Sequence, residues 1–158
     1  MEQLTRFLIK EGVLQEKIED VRFGKGGSGR RESYEYAPIP RMSNTYFLEG
    51  DWKDDELFSE IKHGYFLIGM SGGQVDTTGG TFQFGCKYCY EIKNGELRNI
   101  CKGTVFVGDI LSTGKSIQGI GDKVILEGGT CGKQSQGVPV GDGGPKLLIK
   151  NAKLGGVE

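Results

Sequence analysis

With 158 residues, 28 of them glycine and only four cysteine, the chain is long enough for one domain with a real core. That composition argues against both a helical bundle and a disulfide-stapled scaffold. A formal charge of -1 gives no overall field to draw the protein onto nucleic acid or an anionic membrane. No apolar run approaches the roughly 20 residues of a membrane-spanning helix, and charged residues stand at the amino terminus where a signal peptide would be apolar, so a cytoplasmic protein is expected.

In chain order, Leu4, Phe7, Leu8, Leu14, Ile18 and Val21 recur at near-helical spacing, interrupted by Gly12, and predict one broken helix or two short ones over residues 3–21. From Phe23 to Gly29 the chain reads as a glycine loop, and the prolines of Ala37-Pro-Ile-Pro40 force an extended path. A better-marked helix is expected at about 53–63, capped by Asp51 or Asp54, with Leu57 and Ile61 on one face and Gly64 as its stop. Strand signals dominate afterwards. Tyr65 to Met70 is a short apolar run, and Thr81 to Lys93 alternates, placing Phe82, Phe84, Cys86, Tyr88, Tyr90 and Ile92 on one face. Asn94-Gly95 is a strong hairpin signal, because both central residues of a type I′ turn need positive φ. The return strand is expected from Glu96 toward Val107, a short helical stretch between Ile110 and Ile120, and further strands at Val124 to Glu127 and Leu147 to Ile149. The predicted class is α+β, mostly antiparallel, with two or three short helices near the amino terminus. One domain is expected over 1–158: a helical lead-in (1–22), an extended Gly/Pro-containing segment (23–50), and a helix with a β-rich core (51–158).

Short motifs carry little chemistry here. Gly24, Gly26 and Gly29 satisfy a dinucleotide fingerprint, but an Arg-Arg pair and an extended segment follow instead of a helix. Gly108 to Ser116 has five residues between its glycines where a phosphate loop allows four. Cys86 and Cys89 have the spacing of a zinc half-site, yet on a regular strand they point to opposite faces, which favours Cys86 as a core residue and Cys89 on the other side. His63, expected in the last turn of the second helix, reads as a structural residue complementing the helix dipole.

Three longer blocks are more specific. Gly29-Arg-Arg-Glu-Ser-Tyr34 with Pro40-Arg-Met-Ser-Asn-Thr-Tyr46, then Gly72-Gly-Gln-Val-Asp76 followed by Gly79, then Cys131-Gly-Lys with Gln136, Val138, Pro139, Val140 and Gly141, resemble in order the corresponding blocks of the PmbA/TldD family. The chain is similar to the carboxy-terminal region of a TldD-type zinc metallopeptidase. The resemblance implies a cytoplasmic hydrolase of short or unfolded peptides working with a related noncatalytic PmbA-type (TldE-like) subunit. It also implies zinc held by two histidines of an H-E-x-x-x-H helix and a cysteine, the last corresponding to Cys131. Such a site leaves zinc a fourth position for water, with a glutamate to accept its proton.

No H-E-x-x-x-H occurs in the 158 residues, so the general base and two ligands would have to come from a TldD amino-terminal segment, in cis or in trans. Alone, the chain is expected to be inactive, because one thiolate holds zinc poorly. Gly128, Gly129 and Gly132 would let a bent backbone approach the ion. Ser135 stands where the family pattern has glycine, and Cys86 and Cys89 are not part of that pattern. Gly72, Gly73, Gln74, Val75 and Asp76 are candidates for a peptide-binding wall at a strand edge, with a structural turn as the competing reading. Arg30, Arg31 and Arg41 could hold a substrate carboxylate or tie down an extended loop, the structural role being favoured for Arg41. Two further readings stay open: a noncatalytic peptide-binding or docking subunit of the same fold, and a small zinc adaptor using all four cysteines. Neither nucleic acid nor membrane is an expected partner.

Overall fold

The computed structural model describes residues 9–15 and 28–156. The strands β1 (Ile9–Lys10), β2 (Val13–Leu14), β3 (Gly29–Arg30), β4 (Ile39–Pro40) and β5 (Asn44–Tyr46) precede the helix α1 (Asp54–Ser59). Four strands follow: β6 (His63–Asp76), β7 (Thr81–Lys93), β8 (Glu96–Lys102) and β9 (Val105–Asp109). After the helix α2 (Ile110–Lys115) come β10 (Ile117–Ile120), β11 (Ile125–Lys133), β12 (Gln136–Gly144), β13 (Leu147–Ile149) and β14 (Lys153–Gly155). The fold is α+β and mostly antiparallel, as the alternation and glycine content predict. Its second helix lies in mid-chain rather than near the amino terminus. Among the described residues no helix is long and apolar enough to cross a membrane.

The contacts fall into two compact units, one of Met1–Tyr46 with Leu126–Gly143, the other of Phe47–Ile125 with Gly144–Glu158. In the first unit, β1 and β2 pair through a turn in which Glu11 and Gly12 take φ of 52° and 76°. Ile9–Gln15 is therefore a hairpin and not part of the expected helix. Gly12, read as a helix interruption, supplies the positive φ of a tight turn, and a local turn outweighs the apolar periodicity of so short a stretch. The remainder of that expected helix, and residues 23–27 of the glycine loop, lie outside the described residues. The extended path of Ala37 to Pro40 is present as β4, which pairs antiparallel with β3 and buries Ile39. The other sheet of this unit runs β11-β12-β5, with β5 parallel to β12 in the register Asn44 to Gly141.

In the second unit β7 is the central strand of the order β14-β9-β7-β6, with β8 also on β7. It spans the alternating segment read from the sequence. Its first half pairs with β9 and its second half with β8. This is why the predicted single return strand is two: the chain leaves the ladder at Gly103, whose added Cβ would stand 2.9 Å from the Cys86 carbonyl oxygen. Thr104 then takes over, its carbonyl accepting from Cys86 N at 2.8 Å and its buried hydroxyl donating to the Gly155 carbonyl at 2.7 Å. Asn94 and Gly95, at φ of 50° and 80°, form the expected turn. The even-numbered face of β7 carries the buried Cys86 and Ile92 and an aromatic cluster of Phe82 against Phe84 and Phe106.

Helix α1 is shorter than predicted. Lys53 is its N-cap, its backbone N–H donating to the Glu56 carboxylate at 2.7 Å, and the helix ends at Ser59 with Glu60 as C-cap. Leu57 is buried. His63 consequently opens β6 instead of closing a helix, its Nε2 lying 3.4 Å from Glu91 Oε1. The structural reading of this histidine rests on that contact with Glu91, not on a helix dipole.

Candidate functional site

Cys131 lies on β11, two residues before a tight turn into β12. Gln134 and Ser135 both occupy the left-handed region, at φ of 50° and 58°, so the connection has the backbone of a two-residue type I′ hairpin without a glycine. The thiol is only partly buried. A Cβ added at Gly128 or Gly132 would meet no atom within 4 Å, whereas one at Gly129 would stand 2.8 Å from Asp142 Oδ1. The expected bend is absent: Gly128, Gly129 and Gly132 all lie within a regular strand, none with positive φ.

Behind this hairpin, side chains of residues 28–46 and of the hairpin itself satisfy one another's main chain. Arg41, only 4% exposed, donates from Nη2 to the carbonyls of Cys131 and Gln136. Arg30 donates from Nη1 to Met42 O at 2.9 Å and from Nη2 to Pro139 O at 2.6 Å. The buried Gln136 accepts from Glu32 N and donates to Ala37 O, both at 3.2 Å, while Glu32 Oε2 accepts from Gly137 N at 2.6 Å. Lys133 Nζ reaches Pro40 O at 2.9 Å. Arg30, a sequence candidate for substrate, thus has both terminal nitrogens engaged by carbonyls, whereas Arg31 is exposed. The roles of Glu32 and Gln136 were not legible beforehand. Their pairing spans about a hundred residues, and no local pattern encodes it.

The other cysteines sit in the second unit. Cys86 packs its sulfur 3.7 Å from the Met70 sulfur, and Cys89, fully buried, is the direct cross-strand partner of Cys101. Burial first, and then the neighbouring Cys101 thiol, push the Cys89 thiol up to about 11, so it is a neutral packing group at ordinary pH. Burial likewise raises the Cys86 thiol. Among the described residues no three His, Cys, Asp or Glu side chains are placed to hold a metal. The zinc-adaptor reading, which needs all four cysteines in one site, thus gains no support. Zinc takes thiolate as a ligand, and Cys131 fits that role as one donor of a set but does not complete the set.

Gly72 to Asp76 form the end of β6, the edge strand of its sheet among the described strands. A bulge separates Met70 from Gly73, and Gly69 and Gly72 take the positive φ values, 66° and 91°, that it requires. Gly73 is needed for another reason: a Cβ there would collide with the carbonyl of Gln83 and the ring of Phe84 on β7. Gln74, Val75 and Asp76 are exposed. The backbone N–H groups of Gly79 and Thr78 hold the Asp76 carboxyl below its ordinary value. A cleft of about 590 Å³ nearby is lined by Gln74, Asp76, Phe82, Asp109, Lys150 and Lys153 among others. Both of those carboxylates are committed locally, Asp76 to its turn and Asp109 to Ser112 at the start of α2, so neither is free for acid-base work.

The model of the PmbA/TldA metallopeptidase C-terminal domain matches residues 2–156. The chain is 38% identical over 157 residues to a metalloprotease TldD homolog of Buchnera aphidicola, covering 94% of this chain and 32% of that protein. It is 42% identical over 154 residues to a metalloprotease of Methanothermobacter thermautotrophicus (94% and 34%), and 34% identical over 155 residues to a zinc metalloprotease TldD homolog of Saccharolobus solfataricus (94% and 35%). The chain therefore spans about a third of the length of these relatives. Among solved structures, TldE from Thermococcus kodakarensis superposes with a TM-score of 0.68 at 16% identity, over 94% of this chain and 33% of that one, a likeness of fold. With the three sequence blocks, the matched domain and relatives of this identity in agreement, the chain belongs to the PmbA/TldD metallopeptidase family, as its C-terminal domain.

Proposed function

We propose that the chain is the carboxy-terminal portion of a cytoplasmic TldD-type zinc metallopeptidase acting on short or unfolded peptides, and that Cys131 supplies the third zinc ligand. The observation that carries this reading is a partly exposed thiol beside a tight hairpin, next to the uncrowded Gly132, in a chain 34% identical to a zinc metalloprotease homolog. Two histidines and a general-base glutamate come from a TldD amino-terminal segment. A zinc ion held by those residues and Cys131 would supply Lewis-acid polarisation of a peptide carbonyl and a more acidic bound water. What this chain contributes is the fixed thiolate and a surface for the substrate. The exposed end of β6, an edge among the described strands, can add an extended peptide through main-chain hydrogen bonds, with little reading of side-chain identity. Arg31, exposed and beside the engaged Arg30, is the better placed of the two to meet a substrate carboxylate. A noncatalytic TldE-like subunit completes the assembly.

The test mixes this chain with the histidine-bearing segment and measures zinc content and peptide hydrolysis. Zinc and activity are expected with the wild-type sequence, and weakened but measurable zinc binding with loss of activity in Cys131→Ser. Full metal and activity in the serine variant, or peptide cleavage by the chain alone, would refute the reading.

A further inference from the structure

We propose that Arg41 is the positioning residue for the Cys131 ligand, fixing the strand from which the thiol projects. The inference rests on the reading of Cys131 as a metal ligand. Several bonds fasten residues 28–46 to the hairpin without Arg41: Lys133 to Pro40, Gln136 to Ala37 and Glu32, Glu32 to Gly137, and Arg30 to Pro139. Attachment of the two segments is thus already provided for. What Arg41 adds is specific. Its Nη2 donates to the carbonyl of Cys131 itself and, across the turn, to that of Gln136. One planar group therefore grips both strands at the cysteine, setting the peptide plane there and with it the direction of the Cα–Cβ bond.

The cost of this arrangement shows that it is not a convenience of packing. A guanidinium withdrawn from water is expensive unless its donors are satisfied, and a buried cation ordinarily has an acidic partner. Arg41 is 4% exposed, and among the described residues its buried Nε and Nη1 have no hydrogen-bond partner and no carboxylate pairs with it. An apolar residue would fill this place at lower cost if filling were all the fold required. A buried polar group left partly unsatisfied calls for another explanation, and here the satisfied part lies on the main chain of the proposed ligand. Residues that orient a metal ligand are worth about 10- to 100-fold in metal affinity when removed.

The experiment uses the assembled protein, containing this chain and the histidine-bearing segment. Zinc affinity is measured by competition with a chromophoric chelator, and the thiolate-to-metal absorption is recorded in the cobalt-substituted form. Arg41→Lys and Arg41→Met are each made with Cys131 present and in the Cys131→Ser background. The expected result is a loss of about tenfold or more in zinc affinity with a weakened cobalt–thiolate band when Cys131 is present, and no further loss when it is serine. An equal loss in both backgrounds would show a merely structural role, and unchanged affinity and band in the folded variants would show none. If Arg41→Met does not fold, Arg41→Lys decides. Should Cys131→Ser alone leave zinc affinity intact, the ligand reading fails and takes this inference with it, an outcome distinct from failure of the Arg41 variants.

Discussion

At the scale of single residues, the hairpin after Cys131 is under a strain that one substitution would relieve. Ser135 holds φ of 58° in a two-residue turn, a conformation that costs a residue with a Cβ about 1 kcal/mol or more and glycine almost nothing. Ser135→Gly is therefore expected to stabilise the chain by roughly 0.5–1 kcal/mol, read as a higher midpoint in urea unfolding with unchanged slope. An unchanged or lowered midpoint would show that the serine makes good its own conformation. Thiol chemistry separates the cysteines in the same way. With its thiol pushed up to about 11, Cys89 has about one molecule in a thousand as thiolate at pH 8, and it has no exposed surface. Alkylation of the folded protein followed by mass mapping is expected to mark the partly exposed Cys131 early and Cys89 last. Labelling of Cys89 as fast as Cys131 would mean that β7 opens readily.

At the scale of elements, the β6–β7 hairpin shows how glycines with one sequence signature serve different ends. Gly72 sits at φ of 91° with open space where a Cβ would be, so its demand is conformational. Gly73 has an ordinary backbone, but the Gln83 carbonyl and the Phe84 ring close over the place a side chain would take. Gly73→Ala must push two strands apart and is expected to cost about 1–3 kcal/mol, lowering the melting temperature by several degrees. A melting temperature equal to wild type would show that the β6 edge yields easily. Bulge and strand contact thus each require a glycine at 72–73, while Gln74 to Asp76 beyond them are exposed.

At the scale of the whole molecule, the stability of the isolated chain should owe nothing to metal. No three ligating side chains converge among its described residues, so removing divalent ions with a chelator is expected to leave its thermal unfolding unchanged, whereas a structural zinc site would lose much of its folding free energy. A drop in melting temperature on chelation would reveal a metal site made within this chain. Much of the molecule was legible beforehand because its signals are local. Period-two alternation marked β7 from Thr81 to Lys93, Asn94-Gly95 marked its turn, and the ordered blocks from Gly29 to Gly141 marked the family. Those features depend on near neighbours along the chain, where sterics and side-chain parity act directly. Tertiary structure alone decided the rest: that the strand after Glu96 breaks at Gly103 to share β7 between two partners, and that Arg41 closes on Cys131 from 90 residues away. Such contacts depend on which distant carbonyl is left without a donor when the sheets have formed, a quantity that no window of the sequence contains.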